Sequence, residues 1–90
     1  MTYTKAELFD GNQLVANDMT IDYQVRQASV QPPGPVEWYG FILPPNSGIQ
    51  VQKRYTLNLP GFTPSQIETT VHHQDGQIEF KGIGDQPKGV

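Results

Sequence analysis

The chain contains no cysteine. That excludes a disulfide framework and any thiolate metal site, and it fits a reducing compartment. Charge is scarce as well. Only 17% of the residues are charged, where an ordinary soluble domain carries about 25%. Six basic residues stand against nine acidic ones, for a net charge of −3. This balance lacks the basic footprint that nucleic acid or an anionic membrane surface attracts. Long apolar runs are missing too, and nothing approaches the roughly 18 residues that span a bilayer. The N-terminus shows Lys5, Glu7 and Asp10 where a secretory signal would have an apolar stretch. The expectation is a soluble, cytoplasmic protein without nucleic-acid or membrane partners. Helical periodicity is the last absence. No segment repeats its apolar residues at helical spacing for more than a turn.

What is present is alternation, cut into short pieces by eight prolines and nine glycines. Ninety residues allow one domain. A chain of that size buries only roughly 60–65% of its unfolded surface, so the core is modest. Tyr3–Phe9 reads as a first strand. Asp10-Gly11-Asn12 reads as a three-residue hairpin loop that sets Leu8 opposite Leu14. A short return strand, Gln13–Ala16, runs into a turn at Asn17-Asp18. From Met19 to Val30, Met19, Ile21, Tyr23 and Val25 share one face. Gln31–Pro35 holds three prolines and is a stiff loop. Val36–Leu43 is apolar on both faces, which predicts a central strand covered on two sides. Gly40 marks a bulge, a bend or a close backbone approach in it.

Residues 49–82 are the most openly written part. Ile49, Val51, Tyr55, Leu57 and Leu59 alternate up to the Pro60-Gly61 break. Thr63 and Pro64 are placed to cap a single helical turn. Ile67–Gln74 and Gln77–Gly82 flank Asp75-Gly76, a strong hairpin signal. A two-residue turn there pairs Val71 with Phe80 and His73 with Ile78. The pattern predicts an all-β fold: one small antiparallel β-sandwich or strongly bent β-barrel of six to seven short strands, with no substantial helix. The domain is expected over residues 1–83, with a flexible tail at 84–90.

Chemistry-bearing residues are sparse. His72 and His73 are the only histidines. As strand neighbours they point to opposite faces and cannot share an ion. Glu68 and Glu79 share the surface of a hairpin, which is no cleft for a glycosidase-type acid pair. Gly82-x-Gly84 precedes no helix and cannot cradle a phosphate. Lys53, Arg54 and Tyr55 form the one basic–aromatic cluster, too small for a nucleic-acid surface. No catalytic, cofactor-binding or metal-binding residue is assigned, and neither enzymatic activity nor a cofactor is expected.

The segment Leu59-Pro60-Gly61-Phe62, Ile67-Glu68 and Gly76–Gly82 resembles the strand–turn–strand part of the α-crystallin domain of small heat shock proteins. The likeness is confined to residues 59–82, and the Ala-x-x-x-x-Gly-Val-Leu signature of that family is missing, so no membership is assigned. The resemblance implies client binding of a chaperone kind.

Trp38, Tyr39 and Phe41 form the densest aromatic group, between two proline loops. A lone Trp in a small β domain normally anchors the core. Read as a surface instead, Tyr39, the loops at 31–35 and 44–48, and the residues Pro33, Trp38, Phe41 and Pro45 make a contact face. Stiff loops lose little entropy on binding. The function expected first is a non-catalytic interaction or assembly module with a protein partner or a second copy of itself. The alternative is a saccharide- or peptide-binding domain built on Trp38 and Tyr39.

Overall fold

A computed structural model describes residues 1–27 and 36–90, with the side chains of Gln27 and Val36 left aside. Six strands follow one another: β1 (Thr2–Asp10), β2 (Gln13–Gln27), β3 (Val36–Ile42), β4 (Arg54–Asn58), β5 (Ser65–His72) and β6 (Ile78–Ile83). They close into an antiparallel barrel in the order β1-β2-β3-β6-β5-β4. Of the two architectures expected, the strongly bent barrel is the one formed. Two three-stranded meanders, β1-β2-β3 and β4-β5-β6, are joined at both seams, β1 to β4 and β3 to β6. Closure covers strand edges only along the paired stretches: β1 meets β4 over residues 7–9 and β3 meets β6 over residues 39–42, while residues 13–19 of β2 pair with β1 alone.

Closure depends on irregularities that alternation hides. The strand β2 is 15 residues long. Its first part pairs with β1 and its second part with β3. The register between β1 and β2 shifts three times, between Tyr3 and Ala6, Ala6 and Leu8, and Leu8 and Phe9. Lys5 and Asp18 have positive φ (57° and 54°) at the first two shifts. Each extra residue adds twist and bends the pair. Asn17-Asp18, expected as a turn, is therefore a bulge inside one continuous strand. The hairpin at its tip has a two-residue turn, since Asp10 pairs with Gln13. Leu14 then lies opposite Phe9, not Leu8, and is exposed.

The β5–β6 hairpin also differs in register. His73 N–H donates to Gln77 O at 2.8 Å, and Gly76 N–H to His73 O at 3.0 Å. The loop thus holds three residues, with Gly76 in the left-handed region (φ 93°), the usual geometry of a three-residue hairpin. His72, not His73, pairs with Ile78, and Val71 pairs with Glu79 on the outside. A shift between Thr69 and Val71 restores the parity, so Ile67, Thr69, Ile78 and Phe80 all point inward.

Three further expectations change. The strand after Ile49 begins only at Arg54; residues 49–53 cross a barrel end. Thr63 caps no helical turn; its hydroxyl accepts Lys88 N–H at 3.0 Å. The tail set apart at 84–90 is tied to that turn: Thr63 N–H donates to Lys88 O at 2.8 Å and Val90 N–H to Gly61 O at 3.0 Å. Pro87 is buried there.

The core fills the barrel. A chain of aromatic rings runs through it: Phe80 against Trp38 (6.1 Å, edge-on), Trp38 against Tyr23 (5.7 Å, edge-on), Tyr23 stacked on Tyr3 (5.3 Å), and Tyr3 against Phe62 (5.3 Å). Leu8, Ile21, Ile42, Leu57 and Ile67 close around it, each with no exposed surface. Gly40 is a close approach: a Cβ there would lie 2.7 Å from Tyr23 Cα. Thr69 is fully buried, yet its hydroxyl bonds Gln50 O at 2.6 Å and accepts Lys53 N–H at 3.2 Å. That pairing anchors the 49–53 crossing.

Ser65 stands apart, for its buried hydroxyl has no hydrogen-bond partner. An unpaired hydroxyl out of water costs about 1–3 kcal/mol. Ser65→Ala removes that cost, so its unfolding free energy from urea titration should equal or exceed the parent's, by up to about 1 kcal/mol. A loss of stability on this substitution would mean that the hydroxyl is paired.

Burial pushes the Tyr23 hydroxyl up from 10.0 to about 12, with the neighbouring Tyr3 hydroxyl adding to the shift. The native state holds this proton more tightly than the unfolded chain does. Its contribution is therefore complete below pH 10 and is lost as pH rises towards 12. The urea midpoint should fall between pH 9 and pH 11, and Tyr23→Phe should flatten that fall. An unchanged slope in the variant would contradict the assignment.

Candidate binding groove on the outer barrel wall

The residues flagged from sequence separate in space. Trp38 points into the barrel, is 3% exposed, and donates its indole N–H to Gly84 O at 3.1 Å. It belongs to the core and offers no stacking platform. Tyr39 and Phe41 lie on the other face of β3, half-buried on the outer wall. That wall is open to solvent, so the two-sided covering expected for β3 does not occur. A barrel strand has packed side chains within and solvent without. Pro45 is exposed in the 43–53 segment that follows β3 and does not line the groove that Tyr39 lines. Pro33 lies outside the described residues, as does the rest of the loop at 31–35.

A groove of about 810 Å³ runs along the outer wall beside Tyr39. Strand pairing builds it. Tyr39 sits between Gln24 on β2 and Lys81 on β6. Its hydroxyl donates to Gln24 Oε1 at 3.2 Å, and the Arg26 guanidinium lies 5.5 Å from the ring centre. Arg26 pairs with Glu37 at 3.2 Å. Beyond Tyr39, Gly82 and Gly84 contribute no side chain to the groove, and the edge of Trp38 lies beneath them. Thr70 and Val71 of β5 form the opposite bank.

The charges of this wall are held in pairs. Glu68 lies between Arg54 (3.6 Å) and Lys81 (3.7 Å). Glu79 meets His73 Nε2 at 2.9 Å, and the His73 ring lies 5.8 Å from Phe41. Glu68 and Glu79 thus share the outer face, each beside basic partners. All these side chains are partly exposed, so each pair contributes about 1 kcal/mol or less. The basic–aromatic cluster at 53–55 splits: Arg54 pairs with Glu68, while Lys53 stays over the Tyr55 ring, 5.8 Å from its centre. Tyr55 is buried and its hydroxyl accepts Gln50 N–H at 2.9 Å. Lys53 bonds Asp10 at 2.9 Å, and that hydrogen bond, with the carboxylate's charge behind it, holds the ammonium above its usual range. Among the described residues, no three His, Asp or Glu side chains converge on a point where a metal could sit.

Sequence reasoning reached Tyr39 but missed Arg26, Glu37, Lys81 and Gly84. Arg26 and Glu37 are legible once β2 and β3 are taken as a hairpin. Lys81 is not, because β3 meets β6 only when the barrel closes.

Fold and groove define a class: a small closed six-stranded β-barrel with an open groove on its outer wall. No family model, curated protein or solved structure matches the chain. The segment 59–82, which resembles part of an α-crystallin domain, forms the 60–64 turn, β5 and β6 of this barrel. No helix among the described residues is long and apolar enough to cross a membrane.

Proposed function

We propose that this chain is a non-catalytic interaction module whose contact surface is the Tyr39 groove. The observation that carries the reading is the groove itself. In it an aromatic ring, a guanidinium, an ammonium and two carboxylates line a concavity of about 810 Å³, within the size range of ligand sites. The histidines and carboxylates of the outer wall are exposed or half-exposed, and Glu79 is held by His73 at 2.9 Å, which favours binding over catalysis.

The ring closure limits how a partner can attach. Edge-to-edge strand pairing, the simplest route to self-association of β proteins, needs a free edge. At Tyr39 both edges are taken, by Gln24 and Lys81, so a partner that attaches there uses side-chain faces. Immobilised parent protein and its Tyr39→Ala variant, exposed to the same extract of the source, test the reading. A component retained by the parent and lost by an equally stable variant supports it. Equal retention by both would remove the groove as the contact surface. Light scattering behind size exclusion tests assembly: a mass that rises with concentration for the parent, and not for Tyr39→Ala, makes the partner a second copy.

A further inference from the structure

We infer that the occupant of the Tyr39 groove is a neutral, hydroxyl-rich saccharide. The inference rests on the groove's reading as a contact surface and names its ligand class. The closed ring is the first support. Tyr39 is paired on both sides, with Gln24 of β2 and Lys81 of β6, so at this residue an extended peptide finds no main-chain edge to join. Whatever binds is held by side chains.

Charge balance is the second support. Arg26 and Lys81 bring two positive charges to the groove, and Glu37 and Glu79 bring two negative ones. Each already has a partner: Arg26 with Glu37 at 3.2 Å, Lys81 with Glu68 at 3.7 Å, and Glu79 with His73 at 2.9 Å. An ionic ligand gains little from a lining with no net charge, and must compete with these pairs. A polyol adds hydrogen bonds to the free lone pairs and N–H groups of the same side chains without breaking them.

The shape is the third. The Tyr39 hydroxyl is bonded to Gln24 on β2, which draws the ring to that side. Gly82 and Gly84 line the groove beyond the ring; a Cβ at Gly82 would point inward at Trp38, whereas at Gly84 it would meet nothing, so only Gly84 leaves open space there. An aromatic face is electron-rich. The Arg26 guanidinium lies over one face of Tyr39, 5.5 Å from the ring centre; the other face attracts the weakly positive C–H hydrogens on the flat side of a sugar ring, while the hydroxyls at its rim reach Lys81, Glu79 and Thr70.

Trp38 is the only tryptophan, and its edge lines the groove floor. Its emission is a label-free reporter. The full chain would be titrated with neutral cello-, xylo-, malto- and chito-oligosaccharides, and with oligogalacturonate and heparin fragments as anionic probes. Trp38 emission and backbone amide shifts are the readouts. At least one neutral series should shift the Tyr39, Lys81, Gly82 and Gly84 amides saturably, with Kd of roughly 1 mM or below. Tyr39→Ala should weaken that binding about tenfold or more, with the remaining amide shifts showing that the barrel is still folded. Lys81→Ala, truncating a side chain that is 60% exposed, serves as a second variant and should also weaken binding. Silence of every neutral series at about 10 mM, tighter binding of an anionic probe, or full binding by both variants would each overturn the inference. A protein captured through Tyr39 while all saccharides stay silent removes the saccharide and keeps the groove as a contact surface. Silence of both removes the groove as well.

Discussion

Gly82→Ala should cost about 4 kcal/mol and leave the protein largely unfolded near 37 °C. A Cβ at this position would fall inside the Trp38 indole, overlapping the Nε1, Cε2 and Cδ2 atoms. Ring atoms cannot swing aside as the end of a flexible side chain can. The indole is also held on several sides, edge-on to Tyr23 and Phe80 and bonded through its N–H to Gly84 O. To admit the methyl, Trp38 must leave its site, and its contacts go with it. Overpacking alone costs about 1–3 kcal/mol, and losing a buried aromatic about 3–5. Whole-domain stability at this length is about 5–13 kcal/mol, so the loss takes a large share of it. Urea unfolding of Gly82→Ala beside Gly89→Ala is the measurement. Gly89 has open space where its Cβ would go, and its substitution should change stability by less than about 0.5 kcal/mol. A double variant carrying Trp38→Leu should lose less than the sum of its parts, because the clash is between those two residues. Additive losses would show that the two side chains do not meet.

Asn46→Ala should cost about 3 kcal/mol, a fall in Tm of roughly 12–24 °C for a domain of this size. The side chain is buried in a loop, and its amide nitrogen donates to Ile42 O at 3.0 Å and to Gly76 O at 2.7 Å. One carbonyl ends β3 and the other belongs to the β5–β6 hairpin. The amide therefore latches the crossing segment to both sides of the same barrel end. Truncation leaves two carbonyls without their donor in a site that excludes most water. Asn46→Asp keeps the shape but offers no N–H, so it should be at least as costly. If Asn46→Asp instead retained the parent's melting temperature, the latch would not depend on donation from this side chain.

These two residues show how unevenly the fold can be read. Asn46 sits in Pro44-Pro45-Asn46-Ser47-Gly48, which reads as a turn and nothing more. Its role follows from a partner 30 residues away, and no local pattern reports that partner. Gly82 looks like the end of a strand, yet it is constrained by Trp38 on another strand. The Asp75-Gly76 hairpin was legible because turn chemistry is local. Its register was not, since Gly76 serves a three-residue loop as readily as a two-residue one. The error was a single residue, and in a strand one residue exchanges inside for outside. The shift at Thr70 then reverses the exchange, which is why Phe80 is in the core although its expected partner was wrong. The groove divides in the same way. Tyr39 was legible as a member of a contact surface, though its strand was expected to be covered on both faces. Lys81 was not, because β3 and β6 are brought together by closure of the ring.

By itself the sequence determined an all-β protein, the approximate places of β3, β5 and β6, the absence of helix, and the small number of residues able to do chemistry. Those properties follow from side-chain alternation and turn residues, which act over a few positions. Only the tertiary structure decided that the strands close into a barrel, that Trp38 is core while Tyr39 faces a groove, and that the last residues pair with the 60–64 turn. Bulges at Lys5, Asp18 and Thr70 set the bend, and the β1–β4 and β3–β6 seams join segments far apart in the chain. Such pairings are chosen by how the whole core packs, and no short stretch of sequence carries that information.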